Sequence, residues 1–414
     1  MKYKKTFLHS FCILAIGLTS CKGKINTIHS DFFTEDGQSK EQVQTLSPKV
    51  PSMVKFFVEV SGSMNGFFRS NEATNFKHDV WSITSNFSSL NDSIWVFMDQ
   101  NQEAIPMKLD LFRDEMNKGA FVSSASTDVP DMISRMLGAV DATQSEVGVL
   151  ISDMKYDPIG DSAIRALLTQ YTVDIRNIMT KNNGVAVCLI AATSNYLDKN
   201  QQEACANSPY YYLIVGKQAN VVFMRNFLST LLKHNNTFVD EIEWGIDYLS
   251  PSVKVTDQDY LSTIEENRSF GDFEDECSLC LSIDITSYPW SFEKRDTLLN
   301  YLTISAEEGS DVKIIKDGIQ YDITYDDGKQ LKRTAIAKIP VKVEKMYQES
   351  DVLEIRLATP EIQRPNSDFL TFFGAENVND ISRTFSIEGL IGGFYSSMER
   401  YKESKPVHIL ITTK

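Results

Sequence analysis

Val54-Lys55-Phe56-Phe57-Val58-Glu59-Val60-Ser61-Gly62-Ser63-Met64 is an apolar run that passes directly into a hydroxyl-rich loop. A short apolar run that stops at a Gly-containing turn reads as a buried strand. Its end places one carboxylate and two hydroxyls at alternate positions: Glu59, Ser61 and Ser63. Hard oxygen donors gathered on a loop are what Mg²⁺ or Ca²⁺ requires. The carboxyl end of a parallel strand is also where open α/β sheets hold their ligands.

Working outward, residues 54–234 alternate apolar strands with amphipathic helices. Strands are predicted over 54–60, 93–98, 147–152, 184–191 and 210–215. Val129, Met132, Ile133, Met136, Leu137 and Val140 recur at helical spacing, and so do Ile164, Leu167, Leu168, Tyr171, Ile175, Ile178 and Met179. Both sets are core faces. Further helices are predicted over 72–87 and 219–232. Continuous apolar strands separated by helices predict an α/β fold with a doubly wound, mostly parallel sheet. The order 3-2-1-4-5 would set the first strand beside the one ending at Ser152.

The second half changes period. Leu279, Leu281, Ile283 and Ile285 alternate with polar residues, as do Ile319, Tyr321, Ile323 and Tyr325, then Ile339, Val341 and Val343, then Leu353, Ile355 and Leu357. Asp317-Gly318 and Asp327-Gly328 are hairpin signals. The expectation is a β-rich, sandwich-like domain over 235–414. One late helix carries Ile387, Leu390, Ile391, Phe394 and Met398, and a last strand covers 408–412. Gly389, Gly392 and Gly393 in that helix would permit close packing. A chain of 414 residues exceeds what one core usually supports, so two domains are expected, 51–234 and 235–414.

Three segments converge at the carboxyl edge of the predicted sheet. Glu59, Ser61 and Ser63 follow the first strand, Thr127 and Asp128 precede a helix, and Ser152 and Asp153 end another strand. This set resembles the metal-ion-dependent adhesion site (MIDAS) of von Willebrand factor A-like domains. That family carries Asp-x-Ser-x-Ser, a later Thr and a later Asp. Ser61 and Ser63 match the serines, Thr127 the threonine and Asp153 the last aspartate. Glu59 departs, standing where the family has Asp. The resemblance spans residues 54–230, roughly half of the chain. It implies a divalent cation, Mg²⁺ or Ca²⁺, held by Ser61, Ser63, Thr127 and Asp153 with Glu59 in support. An acidic residue of a protein partner would fill the open coordination position. Because Mg²⁺ demands near-octahedral geometry, the added methylene of Glu59 could move it to an outer-shell role. Without a metal, Ser61 and Ser63 would be turn residues, Thr127 would cap the next helix and Asp153 would accept hydrogen bonds from the loop. The domain would then be a structural scaffold of a cell-envelope assembly. A metal-assisted hydrolase would use the same oxygens, with Glu59 or Asp128 as base.

The amino-terminal end adds a location. Lys2, Lys4 and Lys5 precede a short apolar stretch over 7–18, an export signal too short to span a bilayer. Leu18-Thr19-Ser20-Cys21 resembles the bacterial lipobox, which implies a signal over 1–20 and a lipid on Cys21. Residues 21–50 would be a flexible tether reaching roughly 30 Å on average. The expected place is the bacterial cell envelope, lipid-anchored, at the outer membrane. The formal charge is −15, and no basic stripe is visible, which disfavours nucleic acid as a partner. The five histidines show no zinc-ligand spacing, and no G-x-S-x-G elbow or phosphate-binding glycine loop occurs. Cys277-x-x-Cys280 has no second CxxC to complete a zinc site, so Cys188, Cys205, Cys277 and Cys280 read as buried or incidental thiols with room for one disulfide.

Overall fold

β1 (Met53–Glu59) forms where predicted and lies inside a seven-stranded sheet. A computed structural model describes residues 31–34, 38–69, 73–97, 104–119, 127–156, 164–255, 277–326, 332–347, 350–358, 365–398 and 403–412. The expected signal and Cys21 lie outside the described residues, as do Glu72, Met98 and Asp327-Gly328. So do the side chains of Ile164, Leu167, Leu168 and Cys277. By contact, the chain divides into residues 1–41 and one compact unit, 42–414.

After β1 the chain makes a 3-10 turn (Gly62–Met64), α1 (Asn65–Phe68) and α2 (Asn75–Asn86), which Thr74 caps by accepting from the Lys77 N–H. β2 (Ser93–Phe97) pairs parallel with β1. β3 (Ala104–Lys108) pairs antiparallel with β2, and α3 (Leu109–Lys118) follows it. α4 (Val129–Ala139) leads to β4 (Glu146–Ser152), which is parallel to β1 with Val58 opposite Ile151. α5 (Ile164–Lys181) returns the chain to β5 (Ala186–Leu197).

The regular alternation stops at β5. β6 (Glu203–Gly216) folds straight back on β5 and inserts between β4 and β5, antiparallel to both. The strand over 210–215 was expected to join the parallel set and instead opposes it. Asp198 closes this tight turn by accepting from the Asn200 and Gln202 N–H groups. α6 (Gln218–His234) follows, then β7 (Phe238–Trp244), antiparallel to β5. The order is β3-β2-β1-β4-β6-β5-β7, a mixed sheet in which β1, β2, β4 and β5 run one way. The expected domain boundary at 234 falls just before β7, yet β7 is this sheet's edge strand.

Alternate side chains of β1 enter two cores. Val54, Phe56 and Val58 join the cluster holding the apolar residues of α2, α3 and α6. Phe57 joins the cluster holding those of α4 and α5. The sheet is therefore covered on both faces.

The second half begins with β8 (Ser252–Val255), β9 (Cys277–Asp284) and α7 (Arg295–Tyr301). β10 (Leu302–Ala306), β11 (Asp311–Ile314), β12 (Gln320–Asp326), β13 (Lys332–Lys345) and β14 (Ser350–Leu357) come next. α8 (Ser367–Leu370), α9 (Ile387–Ser397) and β15 (Val407–Thr412) complete it. β11-β13-β9-β8 form one antiparallel sheet, with β12 also on β13, and β10-β14-β15 form another. Leu279, Leu281, Ile283, Ile339, Val341, Leu353, Ile355 and Leu357 are buried in one shared cluster, as their alternation predicts. Asp317-Gly318 is not a hairpin turn. It sits in a 3-10 turn between β11 and β12, and both of those strands pair with β13. The dipeptide steps the chain along one edge instead of reversing it.

Two features bind the halves. α9 packs on α5, where Thr172 Oγ1 donates to the Gly389 carbonyl at 3.2 Å. A Cβ built on Gly393 would stand 2.5 Å from Ile175 Cβ and 3.0 Å from the Thr172 carbonyl. Gly393→Ala is expected to cost about 1–3 kcal/mol by overpacking, read as a lowered urea midpoint. A midpoint equal to wild type would show that α9 shifts freely.

α6 is the second feature. Val221, Val222, Met224, Leu228 and Leu232 are buried, and so are Arg225, Asn226, Ser229 and Thr230 on its polar side. A helix buried all round must have its polar groups answered within the protein. Arg225 donates to Glu243 of β7, to Tyr248 (3.1 Å) and to the Ser287 and Tyr288 carbonyls (2.9 and 3.1 Å). Asn226 donates to the Thr286 carbonyl at 2.8 Å, and Ser229 to Glu241 at 2.6 Å. Arg333 of β13 reaches the Thr286 and Tyr288 carbonyls and pairs with Glu293. The corner at 286–288 is thus gripped from both halves. Residues 45–50, expected to be tether, lie along the same corner. Ser287 donates to the Leu46 carbonyl, and Lys49 N–H donates to the Ala219 carbonyl at 2.9 Å.

Among the described residues, no helix is long and apolar enough to cross a membrane. Cys188 is a buried thiol and Cys205 a half-buried one, and neither is in a disulfide.

Candidate functional site

Glu59 ends β1 beside the end of β4, so parallel pairing alone brings Glu59 next to Ser152 and Asp153. The segment before α4 completes the group. Thr127 Oγ1 donates to Glu59 Oε1 at 2.7 Å, and Ser152 Oγ donates to Glu59 Oε2. The Ser61 and Ser63 hydroxyls are 2.9 Å apart. Glu59, Ser61, Thr127 and Asp153 are all buried, and Ser63 is half-buried next to exposed Gly62. The sequence-predicted residues are therefore neighbours across 94 positions of chain.

Helix capping falls to Asp128 and not to Thr127. Asp128 Oδ1 accepts from the Asp131 N–H at 3.1 Å, leaving the Thr127 hydroxyl for Glu59. Ser152 has two tasks, since its oxygen also accepts from the Met154 N–H at 2.7 Å. That contact accompanies a positive φ of 55° at Met154, which turns the chain sharply out of β4.

Two buried carboxylates stand close together. Burial, and then the charge of Asp153, push the Glu59 carboxyl up to about 7, although the Ser152, Ser61 and Thr127 hydroxyls pull it down. Asp153 Oδ1 accepts from the Lys155 N–H at 3.2 Å, while Asp153 Oδ2 is buried with no hydrogen-bond donor. The Lys155 ammonium is 3.9 Å from that oxygen, too far for a hydrogen bond but close enough to compensate charge. Buried Tyr171 of α5 lies in the same core cluster as Phe57, on the face of the sheet that Glu59 shares. It is stacked on Tyr156 at 4.3 Å, and its hydroxyl has no partner. Burial first, then the charges of Tyr156, Glu59, Asp128 and Asp153, hold this phenol far above its usual range.

Sequence reasoning did not assign Ser152 to the site and missed Lys155 and Tyr171. Ser152 could have been found, since it is the residue that parallel pairing sets beside Glu59. Lys155 and Tyr171 carry no motif. Tyr171 reads as one more apolar position of α5.

The donor set suits a hard cation. Five side chains, those of Glu59, Ser61, Ser63, Thr127 and Asp153, offer oxygen, two as carboxylates, and one carboxylate oxygen is buried without a donor. The chain matches no family model and no curated protein.

Proposed function

We propose that the protein is a binding module of the bacterial cell envelope, of the von Willebrand factor A-like kind. It would capture a protein partner through a divalent cation at the β1–β4 edge. The observation that carries this reading is the buried, undonated Asp153 Oδ2 beside the Glu59 carboxyl. A buried anionic oxygen without a donor is costly unless a cation answers it. Ser61, Ser63, Thr127 and Asp153 would hold Mg²⁺ or Ca²⁺, with Glu59 in support through its hydroxyl partners. The ion would supply a Lewis-acidic position for an acidic side chain of the partner, reached past exposed Gly62 and half-buried Ser63. No bond is made or broken in this role. A lipid on Cys21 would hold the module at the outer membrane.

Calorimetric titration of the full mature chain with MgCl₂ and CaCl₂ tests it. One ion per chain is expected, weakened at least tenfold in Asp153→Ala. Absence of heat with both ions in the folded wild type would overturn it.

A second reading is favoured by Lys155. Its buried ammonium, 3.9 Å from Asp153 Oδ2, already places a cation at the carboxylate pair, and both Glu59 oxygens are taken by hydroxyls. The group would then be a metal-free structural lock in an envelope scaffold. Under that reading neither ion binds, and Lys155→Met destabilises the chain.

A further inference from the structure

We propose that Glu307, Glu354 and His408 form a second metal site, independent of the β1–β4 edge and selective for a first-row ion such as Zn²⁺. One ligand atom from each lies within 4.8 Å of the others. Their placement follows from the register of the three-stranded sheet. Glu354 of β14 lies directly opposite His408 of β15. On the other side Glu354 lies opposite Ser305 of β10. Glu307 is two residues past Ser305, and its N–H continues the ladder by donating to the Val352 carbonyl at 3.0 Å. Side chains repeat with period two along a strand, so all three residues occupy the same face on adjacent strands.

The ligand types fit a borderline ion. Two carboxylates with one imidazole suit zinc and its neighbours, whereas Mg²⁺ and Ca²⁺ take oxygen throughout. Zinc ligands bind at about 2.0–2.2 Å, so ligand atoms within 4.8 Å of one another would have to draw closer around the ion. His408 is buried, Glu354 half-buried and Glu307 exposed, so the group opens to solvent on one side. Three protein ligands with an open side leave a fourth position for water. Arg356 donates to Glu354 Oε1 at 3.1 Å, which orients that carboxylate and leaves Oε2 for the ion, as an outer partner does in metal sites. Bound there, the ion would join β10, β14 and β15 across the sheet.

The test is a zinc titration of the mature chain against a fluorescent chelator in millimolar MgCl₂, which saturates all-oxygen sites. One zinc per chain is expected, weakened at least tenfold in His408→Ala and in Glu307→Gln and unchanged in Asp153→Ala. Glu307 is exposed, so its variant keeps the fold if His408→Ala does not. Cobalt(II) in place of zinc should give a spectrum without a thiolate charge-transfer band, which separates this site from the cysteines. Zinc binding that is absent in wild type, unchanged in folded Glu307→Gln, or thiolate-ligated by the cobalt spectrum would overturn the proposal.

Discussion

Arg225→Ala is expected to lower the unfolding free energy by about 3–5 kcal/mol, the largest loss from any single truncation proposed for this chain. The guanidinium is fully buried, and Glu243 beside it is 6% exposed. Truncation would leave Glu243 charged in the interior and would free the carbonyls of Ser287 and Tyr288. Burial already raises the Glu243 carboxyl, and the Arg225 charge is the chief influence pulling it back. Arg225→Met combined with Glu243→Gln should recover most of the loss, because both charges then leave together. Urea unfolding of the three proteins measures this. A midpoint for Arg225→Ala equal to wild type would show that the pair contributes nothing.

The second large effect is pH dependence at Glu59. Its carboxyl is raised from an ordinary 4.5 to about 7, so the folded chain binds this proton more tightly than the unfolded chain does. Stability from the group is complete below about pH 4.5 and is lost as pH rises through 7. At about 1.4 kcal/mol per unit, the swing is on the order of 3 kcal/mol. Melting in a chelator should therefore show this component falling between pH 5 and 8. Glu59→Gln should remove it, since the amide can accept from one hydroxyl and donate to the other. Asp153 and Lys155 face the same group, and both remain in the variant. Excess Mg²⁺ should flatten the wild-type profile if the cation binds and leave it unchanged if Lys155 is the only cation. An identical profile in Glu59→Gln would remove Glu59 as the cause.

Much of this could be read from the chain because hydrophobic period reports burial directly. Val54–Val58 is apolar apart from Lys55, and Val147–Ile151 is apolar throughout; both are inner strands. Ile387, Leu390 and Phe394 predicted the buried face of α9. The meeting of Glu59, Ser61 and Asp153 followed from strand ends, and that of Thr127 from its place just before a predicted helix. The β5–β6 hairpin was hidden for a physical reason. The outer ends of both strands are polar, Thr193-Ser194-Asn195 on one and Asn207-Ser208 on the other, so they read as a connection long enough for a crossover. The connection actually has five residues, 198–202, and a parallel return needs a dozen or more. The burial of the polar side of α6 was not legible either. Arg225, Asn226 and Ser229 look like a wet face, and only Glu241 and Glu243, alternating on β7, hint that charge is answered inside.

The burial of α6 has a consequence for how such a chain can vary. Evolution commonly shuffles modules by cutting in the links between them. The link after His234 is only three residues long, with Asn236 exposed and Thr237 buried, and a cut there would strand a helix that serves both neighbours. The first half would keep a charged, unanswered flank, and the second would lose the clamp on its 286–288 corner. Neither part is a portable cassette, and any lineage that exchanged one would have had to exchange α6 with it.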